Sequence, residues 1–347
     1  MSTPKANQPA LTIPPAVQHA RIHGLGSYRP ERVVSNAEIC ENIDSSDEWI
    51  QQRTGIIERR FAAPDESIID MSEAASLQAM KQAGVTADDI DFILFATISH
   101  PYQTPAAAPL LAIRLGITSP GALDLSAACA GYCYGISMAN DMVRSGSAKY
   151  VLVVGVEKLS DYVDPHDRGS AFIFADGAGA AVVGPSDFPG IGPTLYGSDG
   201  DKWDNIVQKD SWLNLREAIE NPESGLTPRW PYIEMKGQSV FRWAVFSIAP
   251  IAKKTLEASG VTPDQLDAFV PHQANMRISD AMVKAMKLPE DVPVARDIAT
   301  TGNTSAASVP LAMHRMLQAG DAPSGGLALQ IGFGAGLAYA AQVVVMP

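Results

Sequence analysis

Cysteine is scarce in this 347-residue chain, which has three: Cys40, Cys129 and Cys133. An odd, sparse set excludes a disulfide framework and suits a reducing compartment. Basic charge is also short. Twenty-six Lys and Arg face 38 Asp and Glu, a formal net charge of -12, which excludes the broad basic face that a nucleic-acid partner needs. An acidic total still leaves room for a local basic patch that docks an acidic carrier. Long apolar runs are missing, since no stretch approaches the ~18 apolar residues of a membrane span. Met1 to Gln18 are polar and proline-bearing, without the apolar core of a signal peptide, so residues 1–19 are expected to be a loose, flexible tail. The expected protein is soluble, cytoplasmic and free of membrane contact. Clustered His and Cys are absent as well, so no metal is expected.

What is present is apolar residue, 46% of the chain against 18% charged, in proportions that suit a large buried interior. A chain of this length exceeds one ordinary core and points to two domains or half-domains. The sequence itself contains two similar stretches. Residues 79–94 read AMKQAGVTADDIDFIL and residues 255–270 read TLEASGVTPDQLDAFV. Gly84, Val85, Thr86, Asp88 and Asp91 return at Gly260, Val261, Thr262, Asp264 and Asp267, an offset of 176. Each copy reads as a helix end, a glycine cap, a short turn and an apolar strand.

A second echo follows at an offset of 174, between CAGYCYGISMANDMVRSG at 129–146 and NTSAASVPLAMHRMLQAG at 303–320. An apolar strand follows each, at 149–156 and 326–333. The nearly shared offset makes chance unlikely and divides the chain into two α/β halves, 20–190 and 191–347. Apolar strands separated by helices imply mostly parallel sheets covered by helices. The small, apolar helices at 129–146 and 303–320 fit between two sheets, which favours a five-layer αβαβα sandwich. The pseudo-twofold axis then brings the starts of those helices together, with Cys129 and Asn303 in matching places.

Three residues stand out for chemistry. Cys129 lies between an apolar strand and a helix of small residues, where the helix N-terminus stabilises a thiolate and Ala127, Ala128, Ala130 and Gly131 leave room for a bulky thioester. A buried cysteine filling a gap is the plain alternative, and it is the better reading of Cys133. His272, in PHQAN, follows an apolar strand directly, at the mouth of an α/β sheet; its counterpart in the first copy is Ala96. Asn303, in TTGNTSAAS, also reads as a turn or N-cap residue. Gly334, Ala335 and Gly336 form a turn whose backbone N–H groups can hold an oxyanion; a tight hairpin is the plain reading. DGAGAA at 176–181 has the same ambiguity and is no dinucleotide fingerprint, because no G-x-G-x-x-G opens a helix there.

Taken together, SAACAG, DRGSAFIFADGAGAAVVG, VPHQANMRI, GNTSAASVP and GFGAG resemble the type III 3-oxoacyl-acyl-carrier-protein synthases of the thiolase superfamily, along nearly the whole chain from about Ala20. The resemblance implies a thiolase-like homodimer with a Cys129, His272, Asn303 triad. It implies a decarboxylating Claisen condensation of an acyl-CoA primer with malonyl-acyl-carrier protein (malonyl-ACP) that initiates bacterial fatty-acid synthesis. The oxyanion donors implied are the backbone N–H groups of Cys129 and Ala335. CoA thioesters are substrates, and no cofactor is implied.

By the same resemblance, Trp49 and Arg168 sandwich the adenine, Arg53 and Thr54 touch phosphate and adenine, and Asn275 and Gly237 touch pantetheine. Arg242 and Arg277 belong to the carrier docking face. Thr104 stands where acetyl-preferring relatives carry a phenylalanine that crosses the dimer and closes the acyl pocket, so a longer or branched primer is expected.

Other branches fit less well. A biosynthetic thiolase needs a second cysteine near the C-terminus, and none follows Cys133. Elongating synthases use a second histidine where Asn303 stands. Plant-type polyketide synthases are longer and lack this PHQAN and GNTSAAS combination. A priming ketosynthase or acyltransferase of a specialised polyketide pathway is the close rival and would have the same triad. A Cys-His-Asn hydrolase would release free acid, and a non-catalytic subunit commonly loses the cysteine that is present here.

Overall fold

The computed structural model describes residues 14–347, so residues 1–13 of the expected tail lie outside it. Within the described part, Val17 N–H donates to the Arg144 carbonyl at 3.1 Å and Arg144 Nε to the Gln18 carbonyl at 3.2 Å. These bonds tie the approach to the first strand onto the body.

The first sheet has five strands: β1 (His19–Tyr28), β2 (Ile90–Ala96), β3 (Gly121–Leu125), β4 (Tyr150–Lys158) and β5 (Asp176–Ser186), in the order β1-β5-β4-β2-β3. The second has four: β6 (Leu195–Ser198), β7 (Ala268–Pro271), β8 (Leu327–Gly334) and β9 (Ala338–Val345), in the order β7-β8-β9-β6. Read from the other edge, the second sheet repeats the first. Even the fifth place has a trace, because Val294 makes a parallel bridge to Phe269, as Ala122 pairs with Ile93.

The sheets are mixed, which corrects the expectation of mostly parallel strands. Only β4–β2, β2–β3 and β7–β8 are parallel. The β8–β9 turn spans just Ala335–Leu337, and so short a link can only return the chain antiparallel. DGAGAA is likewise no turn. It opens the buried strand β5, and the Asp176 carboxylate accepts from the N–H of Ala62, from the N–H of Ser160 and from the Ser160 hydroxyl.

Helices fill the remaining three layers. Helix α1 (Asp47–Thr54) belongs to a lobe over one end of the sheets. Helix α2 (Ile68–Ala83) begins at a reciprocal Ser67–Asp70 capping box and ends at left-handed Gly84. Its apolar stripe (Met71, Ala75, Ala79) packs on the outer face of the first sheet with Leu152, Val154 and Ala180. Between the sheets lie α3 (Gly131–Ser145) and α7 (Ser308–Ala319), where Ile136, Ala139, Val309 and Met313 share one cluster with Val153, Val183, Val270 and Val344. Outside the second sheet lie α5 (Ala249–Ser259), which follows the short α4 (Gly237–Trp243), and α6 (Met276–Met286), against Phe269, Leu329 and Ile331. Alternation along β4 serves two layers at once, since Val151 and Val153 face inward while Leu152 and Val154 face out. Each such fully buried side chain stabilises the fold by roughly 1.5–3 kcal/mol.

The repeat has a different register from the one expected at the central helices. Both end on left-handed glycines, Gly146 and Gly320. Both begin after a residue forced to positive φ, Ala128 (φ 43°) and Ser305 (φ 48°). Those starts are 177 apart, whereas the ends are 174 apart, because α3 has 15 residues and α7 has 12. Cys129 therefore matches Ala306, and Asn303 matches Ser126. The thiol and the amide are neighbours in space without being equivalent by symmetry.

Candidate active site

The chain enters α3 through a strained elbow. Ala127 leaves β3 at φ -128°, ψ 21°, and Ala128 turns to φ 43° before a 3-10 turn over Ala128–Ala130. A positive φ costs a non-glycine residue of order 1–3 kcal/mol, and here it aims Cys129 at the cavity. The space at the sulfur is tight, since a Cβ on Gly334 would come within 2.7 Å of Cys129 Cβ and Sγ. Glycine is required there for close approach alone. That approach carries the backbone N–H of Ala335 to the sulfur, where it joins the N–H of Cys129 as a hydrogen-bond donor, with the Ser305 side chain beside them in the cavity. Burial outweighs them and pushes the thiol up to about 12. Desolvation thus works against the expected helix-stabilised thiolate.

His272 is 2% exposed and follows β7, its N–H donating to the Ile331 carbonyl at 2.7 Å. Its Nδ1 lies 2.6 Å from Ser308 Oγ at the start of α7, and the ring meets the Phe333 ring edge-on at 5.3 Å. Burial lowers its pKa to about 3, so the imidazole is neutral throughout the physiological range. Asn303 is held by a parallel bridge to Phe174, with its N–H donating to the Ile173 carbonyl and its carbonyl accepting from Ala175 N–H, both at 2.9 Å. Its side-chain Oδ1 accepts the Ser305 N–H at 2.9 Å. A backbone donor there fixes the amide orientation and leaves Nδ2 as the donor facing the cavity.

Cys129, His272 and Asn303 line one cavity of about 560 Å³ with Ser305, Phe333, Gly334 and Ala335. Trp49, Arg53, Thr54, Gly237, Asn275, Arg242 and Arg277 line its outer part. Trp49 has two guanidinium neighbours, Arg168 at 5.5 Å and Arg53 at 5.7 Å from its ring, and Phe172 edge-on at 5.4 Å.

Two of these polar residues have structural duties. The Thr54 hydroxyl donates to the Ile50 carbonyl and accepts from Ile56 N–H. Asn275 caps α6 through Arg277 N–H and donates Nδ2 to the Arg53 carbonyl at 3.0 Å. Thr104 is exposed in the loop after β2 and is not among the residues that line the cavity.

Sequence reasoning missed Glu157, Ser305 and Ser308. Glu157 was visible as a lone acid ending the apolar run YVLVVGVE. It is fully buried at the end of β4, and Ser305 donates its hydroxyl to Oε1 at 3.1 Å. The two serines lie in GNTSAAS, but their contacts depend on where β4 and β7 end in space.

Comparison with known proteins places the chain among named relatives. A family model described as 3-oxoacyl-[acyl-carrier-protein (ACP)] synthase III matches residues 123–200, and one for the C-terminal part of that family matches residues 256–346. The chain is 56% identical to beta-ketoacyl-[acyl-carrier-protein] synthase III 1 of Streptomyces coelicolor, over 95% of this chain and 97% of the relative. It is 53% identical to the mycobacterial beta-ketoacyl-[acyl-carrier-protein] synthase III of Mycobacterium tuberculosis, over 93% and 94%. Among solved structures it resembles a priming beta-ketosynthase of a polyketide biosynthetic pathway (TM-score 0.92, 48% identity, 98% of this chain and 99% of that one). It also resembles the 3-oxoacyl-(acyl carrier protein) synthase III of Pseudomonas aeruginosa (TM-score 0.86, 35% identity, 95% and 99%).

Proposed function

The chain belongs to the 3-oxoacyl-[acyl-carrier-protein] synthase III family, an acyltransferase family of thiolase-like fold, and we propose that Cys129, His272 and Asn303 are its catalytic residues. The single observation that carries this reading is the convergence of a buried thiol, a neutral imidazole and an amide N–H donor in one cavity.

The acyl group of acyl-CoA transfers to Cys129 Sγ and CoA leaves. The tetrahedral oxyanion sits on the N–H groups of Cys129 and Ala335, which already converge at the sulfur. Malonyl-ACP then enters and loses CO2. The resulting enolate oxygen takes hydrogen bonds from Asn303 Nδ2 and His272 Nε2. The second donor requires the proton on Nε2, the tautomer that a Ser308 hydroxyl donating to Nδ1 from 2.6 Å would select. A neutral imidazole suits the step because it stabilises the oxyanion without protonating the carbanion. The enolate carbon attacks the thioester, forming 3-oxoacyl-ACP and expelling the Cys129 thiolate.

Trp49 and Arg168 form the adenine clamp, with Arg53, Thr54, Gly237 and Asn275 along the CoA path. Arg242 and Arg277, both exposed at the cavity mouth, form the local basic patch for the acidic carrier. The protein works in the cytoplasm as a homodimer without metal or cofactor. Strand β3 is an edge of the first sheet, and an unpaired edge invites a second copy. Thr104 then bears on the partner's acyl pocket, where a small side chain admits a longer or branched primer. Priming of a specialised polyketide pathway is the second reading, favoured by the likeness to the priming beta-ketosynthase.

Intact mass after exposure to acetyl-, isobutyryl- and longer acyl-CoAs, then to malonyl-ACP, tests the reading. The expected result is one acyl adduct on Cys129 that disappears only as 3-oxoacyl-ACP forms, with the fastest adduct naming the primer. An adduct that hydrolyses, or moves to an alcohol or amine without CO2 loss, would overturn it.

A further inference from the structure

The geometry points to a proton relay in which the Cys129 thiol gives its proton to the Ser305 hydroxyl while Ser305 gives its own to the Glu157 carboxylate. This inference rests on the proposed role of Cys129 as the acylated nucleophile.

Glu157 is 0% exposed at the end of β4. It is surrounded by donors: Ser99 Oγ at 2.6 Å, Thr97 Oγ1 at 3.2 Å, Ile98 N–H at 3.1 Å and Ser305 Oγ at 3.1 Å. It has no ion-pair partner among the described residues. Lys158, next in sequence, gives its ammonium to the carbonyls of Ala63, Pro64 and Glu66 instead. Nearby Asp176 is occupied by Ala62 and Ser160. The titratable groups that feel the Glu157 charge are Cys129 and Tyr162. Four donors around a buried carboxylate without a cation describe a proton acceptor better than a structural ion pair.

Ser305 connects the two ends. Its Oγ donates to Glu157, and the same side chain lines the cavity with Cys129, close enough to bear on the thiol's pKa. One hydroxyl that donates to the acid has a lone pair left for the thiol proton. Its backbone is held for the task at φ 48°, with its N–H on Asn303 Oδ1.

The chemistry needs such an acceptor. A thiol pushed up to about 12 holds only about one part in 10⁵ as thiolate at neutral pH. His272 is the poorer base, its pKa lowered by burial to about 3, against about 7 for Glu157. The proton balance closes over the whole cycle. The Cys129 proton rests on Glu157 while the acyl-enzyme exists, and the buried neutral acid is well suited to that environment. The CoA thiolate leaves into the open groove and takes a proton from solvent, which is the one proton that decarboxylative condensation consumes. When the enolate displaces the Cys129 thiolate, Glu157 returns its proton through Ser305.

The test is the pH profile of two reactions of Cys129, acylation by acyl-CoA and alkylation by iodoacetamide. Glu157 must be ionised to accept, so both rates in the wild type are expected to rise with pH, with a midpoint near 7, and then level off. In Glu157→Gln and Ser305→Ala the limb disappears and the rate at pH 8 falls about 10²–10³-fold, in the range of general-base effects. Glu157→Asp keeps the limb at a reduced rate, which a purely structural role of the carboxylate would not predict. Folded variants with the wild-type profile would overturn the relay. So would a wild-type profile rising only above pH 9, a result that needs no variant at all. A chain that refuses acyl-CoA but alkylates with the expected profile would sink the synthase reading and keep the relay.

Discussion

At the residue scale the site divides its labour between neutral donors and one buried acid. Asn303 and His272 each have one polar atom tied to the protein, Oδ1 on Ser305 N–H and Nδ1 on Ser308 Oγ. The other polar atom of each is left for the cavity that both residues line. In the proposed mechanism both donors act on the enolate and neither touches the proton of the thiol. His272→Ala and Asn303→Ala are therefore expected to form the Cys129 acyl-enzyme in single-turnover mass measurements. Each is expected to lose roughly 10²–10³-fold in condensation rate, about 3–4 kcal/mol, the cost of an oxyanion donor in a water-poor site. Full turnover in either variant would remove that residue from the mechanism. Burial dominates every titration here, raising Cys129 and Glu157 and lowering His272.

At the element scale the site depends on how strands end and helices begin. The β8–β9 turn brings Ala335 N–H to the sulfur because Gly334 has no Cβ to hold Cys129 away. The start of α6 does similar work for the groove. Asn275 caps that helix and, through Arg53, fastens it to the end of α1. Asn275→Ala removes an N-cap worth about 1 kcal/mol, expected to lower Tm by roughly 1–2 °C in a chain of this size. Because the same side chain also holds the Arg53 carbonyl, KM for acyl-CoA is expected to rise severalfold with kcat within about twofold. A thermal melt and initial-rate kinetics check both, and an unchanged Tm would deny the cap its role. The unequal lengths of α3 and α7 belong at this scale as well. Three fewer residues in α7 leave the caps of the repeat aligned while its starts are displaced.

On the scale of the whole molecule, two sheets of matching strand order enclose two helices, and the active cavity opens where those helices start. Among the described residues strand β3 leaves one side of the first sheet unpaired, and Tyr102 and Ile113 are exposed at 66% and 76%. Apolar groups beside an open edge are a liability unless covered. Sedimentation equilibrium is expected to give twice the 36.8 kDa chain mass, and a monomer at micromolar concentration would remove the proposed partner from the primer pocket.

The repeat at 79–94 and 255–270, the two central helices and the three residues that meet in the cavity were all legible in the sequence, because repetition, apolar periodicity and short motifs can be read along a chain. The family resemblance was legible too, and the relatives of this chain bear it out. Strand direction was not, since parallel and antiparallel strands present the same apolar run and differ only in how the chain returns. The equivalence of Cys129 with Asn303 failed for a related reason: equal segment lengths cannot reveal that one helix starts a turn later. Only the tertiary structure decided the electrostatics. Glu157 reads as a stray charge in a strand until the fold encloses it, and it then faces Ser305 across a gap that no sequence spacing encodes. A pKa depends on which groups are kept from water and which donors surround them, and both are set by packing between residues far apart in the chain.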